Sequence, residues 1–148
     1  MKDVIISIHS TQAYGTEDED QIDFTTDGVY EYGDDGSCYV TYYETEITGL
    51  AGTRTRMIVT PGGISVNRDG MLTSRMEFEE NSRKAFLYNT QYGTAAIGLR
   101  TTRIEKNFTP AGGKAIIDYT LDIEHTPLSS NRFEFTVREQ KNKNHASM

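Results

Sequence analysis

The chain has 148 residues, room for one domain and not for two, and its 36% hydrophobic and 25% charged residues are those of a globular protein. A formal charge of -7 excludes the broad Lys/Arg surface that neutralises phosphates, so no nucleic-acid partner is expected. Cys38 is the single cysteine, which rules out an intrachain disulfide and a cysteine metal cluster and suits a reducing, cytoplasmic setting.

Apolar and polar residues alternate along almost the whole chain, the period of a half-buried strand, and helical periodicity is nearly absent. Val4, Ile6 and Ile8 mark the first strand; Ser7 and His9 interrupt its apolar run too early for a signal-peptide core or a membrane span. Thr16 to Asp20 reads as a charged loop. Ile22, Phe24, Tyr30 and Tyr32 follow, with a bulge or bend expected at Thr26-Asp27-Gly28. Gly33-Asp34-Asp35-Gly36 is a hairpin signal, because Asp-Gly accepts the positive φ angles of tight turns. Ser37 to Thr45 forms the next strand, and Thr48 to Gly52 a connection.

Thr55, Met57 and Val59 share one face and Arg54 and Arg56 the other; Pro61-Gly62-Gly63 turns the chain. Ile64, Val66 and Arg68 share a face before a second hairpin signal at Asn67-Arg68-Asp69-Gly70, and Leu72, Ser74, Met76 and Phe78 share the next. A helix competes over Glu79 to Phe86, but a hairpin turn at Asn81-Ser82 is favoured. Phe86 and Tyr88 precede a turn at Tyr92-Gly93. Then come the rows Ala95, Ile97, Leu99, Thr101, Arg103 and, beyond a turn at Pro110 to Gly113, Ala115, Ile117, Tyr119, Leu121, Ile123. Phe133, Phe135 and Val137 form the last strand, and 141–148 should be a frayed tail after a single domain over 1–140. The expected fold is all-β: a closed antiparallel barrel of about eight to ten strands with little or no helix. Closure removes the sticky edges and the exposed apolar face of an open sheet, with a sandwich as the alternative.

Several segments together carry a family resemblance over nearly the whole chain: Thr48-Gly49 with Gly52-Thr53-Arg54-Thr55, Asn67-Arg68-Asp69-Gly70, Tyr92-Gly93 followed by Gly98 and Thr101, and Gly112-Gly113 leading to Tyr119. In these the chain resembles the YwiB-like proteins, domain of unknown function 1934. That family is similar to the calycins, and the resemblance implies a calycin- or lipocalin-like antiparallel barrel and no particular activity. The chain departs from better-known calycins: it has no tryptophan for a lipocalin Gly-x-Trp signature, and Arg132-Phe133-Glu134 stands where fatty-acid-binding proteins carry Arg-x-Tyr.

Chemistry is sparse. His9, His125 and His145 lack metal-ligand spacing, Glu17 to Asp20 lacks the glycine and spaced ligands of an EF-hand, and no Gly-x-Ser-x-Gly elbow exists. No catalytic residue, metal or cofactor is implied. Arg54 and Arg56 with Arg100, Arg103 and Lys106 would gather into a basic patch if their strands were neighbours; an ordinary charged barrel exterior is the favoured reading. The informative feature is polar residues on rows predicted to face inward, because a buried charge needs a partner. Arg68, Arg103 and Glu44 end such rows, and Tyr42, Tyr88 and Tyr119 add hydroxyls. These six form the candidate site for a small, partly apolar ligand. The competing expectation is a homodimeric structural or interaction protein whose barrel is filled by its own nine tyrosines and six phenylalanines. An enzyme comes third. A continuous void inside the barrel favours the first reading, a solid core the second.

Overall fold

The computed structural model describes residues 2–14, 18–44, 51–70, 73–90 and 93–140. The expected connection at Thr48 to Leu50, Leu72, Tyr92, Thr16, Glu17 and the tail 141–148 lie outside the described residues. Ten strands follow in chain order: β1 (Lys2–Tyr14), β2 (Asp18–Tyr32), β3 (Cys38–Tyr43), β4 (Arg54–Thr60), β5 (Gly63–Asp69), β6 (Ser74–Phe78), β7 (Ser82–Thr90), β8 (Gly93–Thr109), β9 (Gly112–Ile123) and β10 (Thr126–Glu139). They form one sheet in the order β6-β5-β4-β3-β2-β1-β10-β9-β8-β7, with every adjacent pair antiparallel.

The barrel is an up-and-down meander. β1 pairs with both β2 and β10 and so joins the chain's two ends. That pairing moves the seam to β6 and β7, which follow one another in sequence yet stand at opposite edges of the sheet. Individual contacts draw the seam together: Asn81 N donates to Thr101 O at 2.8 Å, Ile104 N donates to the Glu80 carboxylate at 2.7 Å, and the Phe78 and Tyr119 rings meet edge-on at 4.9 Å. The turn expected at Asn81-Ser82 is present, with Asn81 at φ 62, but no strand ladder runs between β6 and β7. The result is a nearly closed barrel rather than a sandwich. The Gly33–Gly36 turn forms as expected, with Gly36 at φ 87 and Gly33 N donating to Ser37 O at 2.7 Å.

Two local expectations are corrected. Asp18, Glu19 and Asp20 belong to β2, opposite Tyr14, Ala13 and Gln12, because the β1–β2 ladder extends past the apolar row. No register shift occurs at Thr26-Asp27-Gly28; Gly28 is required instead by a close approach. A Cβ there would lie 2.3 Å from Ile6 Cδ1 and 2.7 Å from the Thr41 carbonyl oxygen. The register shifts fall elsewhere, between Thr101 and Arg103 in β8 and between Pro127 and Ser129 in β10.

Inward-facing side chains stack in tiers across β3 to β6. Cys38, Val59, Ile64 and Phe78 form one tier, and Val40, Met57, Val66 and Met76 the next. Above them the register sets Tyr42, Thr55, Arg68 and Ser74 side by side. On the opposite wall Ile6 faces Val137 and Ile8 faces Phe135; above them Ser10 faces Phe133, and Asn131, Tyr119 and Thr101 follow. One end of the barrel is therefore an apolar plug. There Phe135 is fully buried against Phe108, ring centroids 5.7 Å apart, and Tyr30 donates its hydroxyl to Thr109 O at 2.7 Å. Burying a side chain of that size stabilises the fold by about 1.5–3 kcal/mol. The other half sets Ser10, Asn131, Tyr119 and Thr101 beside Phe133, Leu99 and Leu121.

Candidate ligand pocket

Glu44 follows β3 and continues its inward alternation because its backbone N–H donates to Thr53 O at 2.7 Å. Its side chain is only 1% exposed and accepts a hydrogen bond from the Thr55 hydroxyl. Arg68 points inward as the third member of the row after Ile64 and Val66, and its Nε lies 3.6 Å from Glu44 Oε2. That separation holds opposite charges together without a direct hydrogen bond. Arg68 Nη1 donates to the Met76 sulfur at 3.7 Å, a weak contact, and buried Nε has no hydrogen-bond partner.

The tyrosines complete the polar rim. Burial, reinforced by the nearby Glu44 carboxylate, holds the Tyr42 phenol well above its ordinary pKa. Burial pushes Tyr119 up to about 12, with the Arg68 charge opposing the shift. Both phenols thus stay neutral at physiological pH and can donate hydrogen bonds. Below the rim lies a cavity of about 180 Å³, walled by Phe24, Phe78, Phe133 and Met76 and reached by Tyr42, Glu44, Arg68 and Tyr119. Four buried polar atoms without hydrogen-bond partners occur among the described residues: Arg68 Nε, which lines the cavity, and the hydroxyls of Thr53, Ser74 and Thr101, which do not. Buried polar groups are usually paired, so the Arg68 Nε marks a place where another molecule, water included, completes the bonding.

Four of the six candidate residues, Tyr42, Glu44, Arg68 and Tyr119, line this one cavity. Arg103 does not. The register shift between Thr101 and Arg103 reverses the alternation, so Thr101 is fully buried while Arg103 faces solvent and pairs with Glu105. The backbone of Tyr88 lies in β7 opposite Ala95, and its side chain is outside the described residues. Ser10 and Met76 also line the cavity and were not among the candidates; Thr55, which donates to Glu44 without lining the cavity, carries the same signal as Arg68, a polar residue at the end of an apolar row. His9 instead pairs with Asp23 on the outer surface, and His125 sits in the β9–β10 turn at φ 70. Among the described residues no group of three His, Cys, Asp or Glu side chains is placed to hold a metal ion, and no helix is long and apolar enough to cross a membrane.

A ten-stranded antiparallel barrel with an apolar plug at one end and, toward the other, a cavity of apolar walls with a few polar groups places the protein among small β-barrels with an internal pocket. The chain belongs to the family described as Domain of unknown function (DUF1934), whose model matches residues 6–135. Its fold is that of the YwiB protein from Bacillus subtilis, with a TM-score of 0.83 and 18% identity over 95% of this chain and 93% of that one. No curated protein matches the chain.

Proposed function

We propose that the protein is a non-catalytic binder of one small, partly apolar molecule, held in the polar half of the barrel. The observation that carries this reading is the cavity of about 180 Å³, where apolar walls meet the Arg68 guanidinium, whose Nε lacks a hydrogen-bond partner. Apolar walls with a few fixed polar groups are the usual composition of a ligand site. The volume decides the size class. Pockets for drug-sized molecules span about 300–1,000 Å³, whereas a cavity of about 150 Å³ accepts benzene. A long acyl chain is too large, and a single ring or short branched chain fits. Native mass spectrometry of gently purified protein, followed by a thermal-shift screen of small metabolites, tests the reading. A co-purified or stabilising species of that size is expected; the absence of both would remove the proposal.

The homodimer reading keeps one observation of its own. Strand β7 is an edge of the sheet and carries Leu87 at 59% exposure, and such edges invite strand pairing between copies. Light scattering after size exclusion separates the readings, with a dimer supporting this one and a monomer at high concentration opposing it.

A further inference from the structure

We infer that the pocket's occupant is uncharged and presents a hydrogen-bond acceptor to Arg68: one ring or short branched body bearing a carbonyl, and not an anion. The inference rests on the binding reading above and adds the chemical class. Among the described residues the charged groups lining the cavity are Glu44 and Arg68, one of each sign. Glu44 already supplies, at 3.6 Å, the negative charge that a buried guanidinium requires. A ligand carboxylate would bring a second anion beside a carboxylate whose side chain is 1% exposed, where like charges repel with little screening. The overall charge of -7 also disfavours the approach of an anion.

Among the side chains lining the cavity, Arg68 carries the buried polar atom that lacks a hydrogen-bond partner, and that Nε can only donate; the Tyr119 phenol is neutral and can donate as well. A carbonyl oxygen has the lone pairs to accept from them without altering the charge balance. The remainder of the ligand would lie against the rings of Phe24, Phe78 and Phe133, which accept a flat apolar body.

Benzamide and benzoate form a matched pair of probes, alike in shape and different in charge. Methyl signals of methionine report on the site: Met76 lines the cavity, and fully buried Met57 lies outside its lining as an internal control. In the wild type at pH 7, benzamide should shift the Met76 signal at a concentration at least tenfold lower than benzoate, leaving Met57 unmoved. The near-isosteric Glu44→Gln leaves Arg68 without its counter-charge and should reverse that order. Equal or tighter binding of benzoate by the wild type overturns the uncharged class while leaving a binding pocket in place, as does an unchanged order in Glu44→Gln. Silence at Met76 with both probes also overturns the class, and the mass-spectrometric experiment then decides the binding reading separately.

Discussion

Removing Arg68 and Glu44 singly and together separates geometry from burial as the source of an ion pair's strength. At 3.6 Å and an effective dielectric of about 20, the gross attraction between Arg68 and Glu44 is on the order of 4–5 kcal/mol. Desolvation of both groups offsets much of this, and the 19% exposure of the Arg68 side chain screens a further part. The expected net coupling in an Arg68→Met, Glu44→Gln double-mutant cycle is about 1–3 kcal/mol. Arg132 and Asp118 provide the contrast on the outer surface. Their atoms are closer, 2.7 Å, but the side chains are 47% and 23% exposed. Exposure wins over distance there, so Arg132→Met with Asp118→Asn should give about 0.5 kcal/mol. Urea unfolding of the two cycles at pH 7 measures both. A surface coupling equal to or larger than the inner one would refute the argument that burial sets the strength of the Arg68–Glu44 pair.

Gly28→Ala should destabilise the fold by about 2 kcal/mol or more, because its Cβ would meet Ile6 Cδ1 at 2.3 Å and the Thr41 carbonyl oxygen at 2.7 Å; a loss under ~0.5 kcal/mol in urea unfolding would contradict the close approach. The hydrogen bond to Asp23 raises the His9 pKa above 6.5, with burial opposing it. Because the folded value is the higher one, the pair's contribution is fully present below pH 6.5 and fades as pH rises through the folded pKa. Ring-proton NMR should show that upward shift and its loss in Asp23→Asn; an unchanged midpoint would dissociate the two residues. Cys38 is fully buried, and that burial raises its thiol pKa, so native protein should resist a thiol-specific reagent that labels urea-unfolded protein readily. Comparable labelling rates would place Cys38 elsewhere.

The strand count and the inward rows were legible because each row has a two-residue period and one buried face, as in Ile64-Val66-Arg68. The same logic brought Glu44 and Arg68, polar residues ending apolar rows, to one cavity, with Tyr42 and Tyr119 on inward rows adding their hydroxyls. Arg103 shows where that logic stops. One extra residue between Thr101 and Ile104 turns it outward, and neither Thr102 nor Arg103 carries the glycine that would advertise a bulge. Gly28 illustrates the converse: glycine signalled something special, but whether a bend or a close approach depended on Thr41, a partner distant in sequence. The seam was illegible for a related reason. The Glu79–Asn81 turn looks like a hairpin locally, and only the pairing of β1 with β10 places β6 and β7 at opposite sheet edges.

The barrel is solid at one end and hollow toward the other, a difference that paired large-residue substitutions on one strand expose. Ile64 and Val66 lie on the same inward row of β5, each 3% exposed, but only Val66 lines the cavity. Unfolding free energies of Ile64→Phe and Val66→Phe are the measurement. Overpacking a filled site costs about 1–3 kcal/mol, so Ile64→Phe should lose that much while Val66→Phe changes stability by less than ~0.5 kcal/mol or increases it. An equal loss at both positions would mean that the polar half is as full as the plug, and the pocket would be withdrawn.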